Sequence, residues 1–194
     1  MTREENIIRM LSDLESVHMV SLPLLKAMEE SANIRSIHRK VTLLSEGSIQ
    51  HSLWYLVHGF AREYQNDPND GNEATNWFWQ SGDFVFHNHF VNGERSEVSI
   101  DFYSGSALLE IDLIALSENT KILEEFTLIK GALTDFNMSL RHEHLRDLSK
   151  LTRLQHVKKF YDSHQMLFNF VRHKDLASFF GIRDKSIYRY LKGL

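Results

Sequence analysis

Apolar positions change their spacing twice along the chain. From Glu4 onward Ile7, Ile8, Leu11 and Leu14 recur at helical intervals, and a second amphipathic stretch runs from Leu22 to about Ser31 with Pro23 near its start. Two short helices are predicted. From Ile34 to Leu113 the texture becomes short runs rich in β-branched and aromatic residues: RSIHRKVTLL, SLWYLVHGFAREY, ATNWFWQ, SEVSIDFYS and SALLEIDL. Gly47, Gly59, the turn cluster Pro68 to Gly71, Gly82, Gly93 and Gly105 punctuate them, a rhythm that predicts a β-sandwich or barrel.

After Asn119 the pattern is helical again. Phe126, Ile129, Leu133, Phe136 and Leu140 step by three and four residues in alternation. The period near 3.5 suits a seam between two helices, although a face packed on its own domain has the same signature. A helix over residues 121–148 would be about 42 Å long, locally weakened by Gly131. Another helix is predicted from Thr152 to about His164, then a connection through Met166 to Val171.

The last segment, HKDLASFFGIRDKSIYRYLKGL, carries the sharpest pattern. Leu176, Phe180, Ile182, Ile187 and Tyr190, with small Ala177 at a helix crossing and Gly181 at the bend, fit a helix-turn-helix. Gly181 can take a positive φ, and Asp184 can cap the second helix or meet its dipole. That helix, Asp184 to about Lys192, would present Lys185, Ser186 and Arg189 outward, with Arg183, Tyr188 and Lys192 close by. Arginine and lysine read guanine edges in the major groove, and hydroxyls and further cations bind phosphate. An ordinary helical hairpin with a basic solvent face is the plainer alternative.

Charge separates these alternatives further. The 194 residues sum to a mild −4, but residues 1–140 hold 10 basic and 21 acidic side chains, a balance of −11, and residues 141–194 hold 12 and 5, a balance of +7. The basic excess coincides with the helical motif, as a nucleic-acid partner requires. Hydrophobic residues at 42% and aromatics at 11% exclude general disorder. No apolar run approaches a membrane span, and MTREENIIRMLSDLE is charged and unlike a signal peptide, so a soluble cytoplasmic protein is expected. Without cysteine there is no disulfide, thiolate metal site or cysteine nucleophile.

A β-rich region, a long amphipathic helix and a helix-turn-helix in this order resemble the Crp/Fnr superfamily of transcription regulators, particularly its short Bacteroidetes-type members. VTLLSEGS with Gly47, LWYLVHGFAREY with Gly59 and QSGDF with Gly82 are similar to the cyclic-nucleotide-binding jelly roll of that family. The resemblance implies an α+β fold: a jelly-roll sensor with flanking helices over residues 1–119, a dimerisation helix over 120–148 and a DNA-binding unit over 149–194. It places base reading on Asp184, Lys185 and Arg189, where Asp184 replaces a frequent cation, and puts Ser186 near phosphate. It further implies a homodimer on palindromic double-stranded DNA with recognition helices about 34 Å apart, RNA polymerase as a further partner, and no catalysis.

Two departures from the family stand out. Phe86, His87 and Asn88 occupy the places of the Gly-Glu-Leu that binds the ribose and phosphate of a cyclic nucleotide, whereas Arg95 and Ser96 match the family's phosphate-holding pair. Loss of the glutamate and a bulky Phe86 argue against cyclic AMP, leaving the effector unidentified and no resident cofactor expected. The sequence also ends at Leu194, where longer relatives continue into a β-wing.

A competing enzyme reading rests on His87, His89 and Glu94, spaced like the first metal motif of cupins, which are also barrels. The second cupin motif is missing, because no proline follows Pro68 and the next histidine, His142, falls in the long helix. His142 and His144 stand two apart on that helix and face different ways. No Gly-x-Ser-x-Gly or phosphate loop occurs. Trp54, Trp77, Phe78 and Trp79 lie in the acidic part and are expected in the barrel core or a pocket lining. A barrel whose basic tail docks an acidic protein is the remaining alternative.

Overall fold

The computed structural model describes residues 2–67, 71–87, 90, 93–117 and 119–192. Helix α1 (Arg3–Val17) opens with a capping box, in which Thr2 accepts from the backbone of Glu5 and Glu5 accepts from that of Thr2. Helix α2 (Leu22–Ser31) matches the expected span, capped by Ser21 with Pro23 in its first turn. The same Ser21 donates its N–H and hydroxyl to Glu125, which ties the start of α2 to the later long helix.

Eight strands follow among the described residues: β1 (Ala32–Ser36), β2 (Val41–Leu44), β3 (Ser52–His58), β4 (Phe60–Asn66), β5 (Glu73–Gln80), β6 (Phe84–Val85), β7 (Ser99–Phe102) and β8 (Ala107–Asp112). They form two four-stranded antiparallel sheets, ordered β1-β8-β3-β6 and β2-β7-β4-β5. Leu53, Tyr55, Leu56, Ile100, Phe102, Leu108, Leu109 and Ile111 fill the space between them, with Trp54 edge-on to Phe102. The corner between β3 and β4 needs glycine twice over. Gly59 has φ +92°, and a Cβ there would sit 2.3 Å from Ser106 Oγ, which is itself bonded to the Phe60 backbone.

The strand runs predicted from sequence are all present, but RSIHRKVTLL is broken by a bend into β1 and β2. The end of SALLEIDL is not strand. Asp112 accepts the Ile114 N–H and turns the chain into α3 (Leu113–Ser117).

Helix α4 (Thr120–Lys150), capped by Asn119, is about 46 Å long. Its first half lies on α1 and α2, where Phe126, Ile129 and Leu133 join the barrel core. Helix α5 (Arg153–Phe170) begins with a Thr152–Gln155 capping box and runs past the expected stop at His164 through a kink there, φ −136° and ψ 36°. Then α6 (His173–Phe179) and α7 (Asp184–Leu191) meet at a turn where Gly181 has φ +60° and Ile182 N–H returns to Ala177 O. A second apolar cluster, including Val157, Leu167, Phe168, Leu176, Phe180 and Ile187, holds this helical unit together and takes in Phe60, Phe78 and Tyr103 from the sheets.

Candidate functional site

Helix α7 is anchored by Ile187 and leaves its other side to solvent. Arg183, Asp184, Lys185, Tyr188, Arg189 and Lys192 are exposed and Ser186 is half-buried. Arg183 occupies the N-cap position and makes no side-chain cap bond, and Asp184 is the first helical residue, so it meets the dipole and does not cap. The Tyr188 ring lies edge-on to His173 at 4.7 Å, and the Arg189 guanidinium sits 5.4 Å from the Tyr190 ring. His173 therefore adds a polar ring from α6 to this surface, a contribution hidden from sequence because it comes from the preceding helix.

The opposite face of the helical unit rests on β5. Ser178 accepts the Thr75 N–H at 2.9 Å, and Phe179 packs against Trp77, Phe78 and, ring on ring at 4.1 Å, His144. Between them lies a buried charge cluster. Arg62 on β4 reaches Asp175 of α6 at 3.1 Å, Glu73 at 2.8 Å and Thr75 at 3.0 Å. Tyr103 donates to Asp175 at 2.9 Å, and Arg172 reaches both oxygens of the same carboxylate. Burial, then the Asp175 charge, pushes the Tyr103 hydroxyl far above the ordinary tyrosine range. Burial opposes ionisation of Glu73, yet its bond and attraction to Arg62 hold that carboxyl below the usual value.

A second ion pair fixes α4 to the same sheet. Arg141 makes a two-pronged contact with Glu63 at 2.8 and 2.6 Å and donates Nε–H to Asn137 Oδ1 at 2.7 Å. Sequence reasoning passed over Arg62, Glu63, Arg141 and Asp175, since charged residues in a strand or helix read as solvent-facing.

The residues at the family's phosphate-cassette positions are engaged with the protein itself. Phe86 is buried, its ring 5.7 Å from Trp79 and 4.5 Å from Phe90. His87 is buried and its backbone N–H donates to Gln50. Arg95 donates to the Gly47 carbonyl at 2.7 Å, and Ser96 donates to the Val98 carbonyl at 2.7 Å. Asn88 and His89 lie outside the described residues. Glu94 is exposed while His87 is interior, and among the described residues no three metal-ligating side chains cluster.

The expected seam divides into two. Phe126, Ile129 and Leu133 are core, whereas Phe136 is 55% and Leu140 39% exposed. The first half of α4 spends its stripe on α1, α2 and the barrel, so those three residues are removed from any intermolecular contact. Exposed Leu128 and Leu145 add apolar surface elsewhere on the helix.

Beside Phe136 opens a cleft of about 640 Å³ between α1, β5, the β5–β6 turn and α4. Trp77, Trp79, Phe86, Leu133 and Phe136 supply apolar walls, and Arg9, Asp13 and Asp83 edge it. Asp13 accepts from Tyr55 and is 3.9 Å from Arg9. Burial raises the Asp83 carboxyl to about 6, opposed by the bond it accepts from the Gln80 N–H. Of the expected core aromatics, Trp54 donates to Glu110, Phe78 joins the second cluster, and Trp77 and Trp79 line this cleft.

No protein-family profile matches the chain, and no curated protein matches it. Solved structures do. FixK2 from Bradyrhizobium japonicum superposes with a TM-score of 0.66 at 15% identity, covering 84% of each chain. The c-di-GMP-responsive global regulator CLP of Xanthomonas campestris gives 0.64 at 17%, over 89% of this chain and 91% of that one. A putative Crp/Fnr-family transcriptional regulator from Eubacterium rectale gives 0.65 at 15%, over 90% and 83%. At these identities the likeness shows the fold, a cyclic-nucleotide-binding-type barrel with its helices. Among the described residues no helix is long and apolar enough to cross a membrane.

Proposed function

We propose that this chain is a sequence-specific, DNA-binding transcription regulator of the Crp/Fnr type, acting as a homodimer without enzymatic activity. The observation that carries it is α7: a helix with one buried anchor, Ile187, and an exposed basic face of Arg183, Lys185, Arg189 and Lys192. Arg189 and Lys185 would read base edges, and Arg183, Ser186, Tyr188 and Lys192 would contact phosphate. The fold shared with FixK2 and CLP supports the same reading.

The dimer would form through the exposed part of α4, with Phe136 and Leu140 as its apolar centre, and set two α7 helices against successive major grooves. RNA polymerase would be a further partner. The sensor is degenerate toward cyclic AMP. Arg95 and Ser96 are turned to backbone carbonyls and Phe86 fills space with Phe90, so a cyclic phosphate would have to break two bonds and displace a ring.

Cross-linking the protein to DNA in its host and sequencing the bound fragments tests this reading. Discrete upstream sites, lost on Arg189→Ala, are expected. Uniform background for both proteins would contradict it, and would favour the basic surface docking an acidic protein.

A further inference from the structure

The cations of the C-terminal helices fall into two sets. Arg141, Arg146, Lys159 and Arg172 face carboxylates at 2.6 to 3.9 Å and serve the fold. Arg153, the first residue of α5, is exposed and forms no ion pair or hydrogen bond among the described residues. Its position is nevertheless informative. Arg153 Nη2 lies 3.7 Å from where a Cβ on Gly181 would stand, so the guanidinium faces the turn that leads into α7. Asp184, the first residue of α7, follows that glycine by three positions.

Packing holds α5 in that relation. Only Leu151 and Thr152 separate it from α4, and Lys159 ties it back to Glu143 and Asp147 of α4 at 3.0 and 2.6 Å. Val157 of α5 and Ile187 of α7 belong to one apolar cluster. A free guanidinium is thus carried by a fixed helix beside the N-terminal end of α7. In a helix-turn-helix seated in a major groove that end points at base edges, and the sugar–phosphate strands wall the groove on either side. Asp184 brings an exposed carboxylate to the same end, which would repel those strands. Arg183 offsets it from the adjoining position, and Arg153 adds a second cation from a different helix.

We infer that Arg153 is a DNA-backbone anchor: its guanidinium binds a phosphate of the duplex beside the bases that α7 reads, and takes no part in choosing the sequence. This rests on the proposed function and extends its DNA surface to a residue outside the helix-turn-helix. Because Arg153 stands three positions after the last residue of α4, a tilt of α5 away from the α6–α7 turn would withdraw the anchor and leave α7 itself unchanged. Backbone affinity is thereby tied to the joint between α4 and α5.

The test measures binding of the full chain to its selected duplex as salt is raised. Arg153→Ala is expected to lower the slope of log affinity against log salt by about 0.9 for each subunit bound, and to weaken binding about tenfold per subunit at about 0.1 M salt. The selected sequence should stay the same, in contrast to Arg189→Ala. Arg153→Lys should restore the slope because it keeps the charge, and Lys26→Ala, on α2, should match the unsubstituted protein. Duplexes carrying one neutral methylphosphonate at a time locate the contact: the position that weakens binding of the unsubstituted protein through Arg153 should have no effect on Arg153→Ala. Arg153→Gln replaces the alanine variant in both measurements if the latter does not fold. An unchanged slope, or an altered base preference, would overturn the inference. A protein that selects no duplex before any substitution overturns the proposed function and the anchor with it.

Discussion

Arg62 on β4 and Asp175 at the start of α6 face each other at 3.1 Å, with exposures of 0% and 1%. They lie 113 positions apart in sequence order, one in the sheet and one in the helical pair, and Tyr103, Thr75, Glu73 and Arg172 satisfy most of what remains of their bonding. The contact therefore sets how the α6–α7 pair is held on the barrel. A buried pair adds modest net stability, but breaking it from one side strands a charge.

Asp175→Leu or Arg62→Met alone should consequently destabilise the protein by about 3–5 kcal/mol, whereas the double variant should recover most of that loss. Chemical denaturation of the four proteins checks this. Additive losses would mean that the two side chains do not act as a pair.

Acid should loosen the same interface. Burial holds His144 at about 4, below its ordinary 6.5, and lowers His156 and His164 as well, with Asp147 opposing the shift at the first two. The unfolded chain thus binds more protons than the folded one between these values, so stability is present above pH 6.5 and is lost as pH falls toward 4. Thermal midpoints measured from pH 7.5 to 4.5 should fall through that window. His144→Phe should flatten the slope, and an unchanged slope would remove His144 as its source.

Leu140→Asp and Leu133→Asp should fail differently, although both sit on one sequence stripe. Leu140 is exposed, so its substitution would cost only the proposed dimer, giving folded monomers in sedimentation. Leu133 is core and would cost the fold by several kcal/mol. A persistent dimer of folded Leu140→Asp would place the interface elsewhere.

Cyclic AMP at millimolar concentration should leave the thermal midpoint unchanged, because Arg95 and Ser96, at the positions expected to hold its phosphate, are bonded to Gly47 and Val98. A rise of several degrees would show that the cassette opens.

Periodic elements were legible and long-range ones were not. Leu22–Ser31 and Thr120–Lys150 announce themselves through spacing and caps, and the glycine breaks mark the strand ends. Leu133 and Leu140 look alike in sequence, and only the placement of α4 on α1 and α2 decides that one is core and the other surface. Arg62 reads as the outward residue of an alternating strand, yet it is fully buried because α6 lies over it. Trp79 reads as a core or pocket residue and Phe86 as a cassette position, but the cleft they share depends on α4 and α1, which are distant in sequence. Asp112 illustrates a local miss: one carboxylate bond to Ile114 turns a predicted strand end into α3.

Whether α7 reads a DNA sequence is measured by letting the purified protein select duplexes from a random pool. Enrichment of a palindrome with half-sites about one helical turn apart is expected, relaxed at defined positions by Arg189→Ala. A pool that stays random after repeated rounds, with a folded dimer in hand, would contradict it.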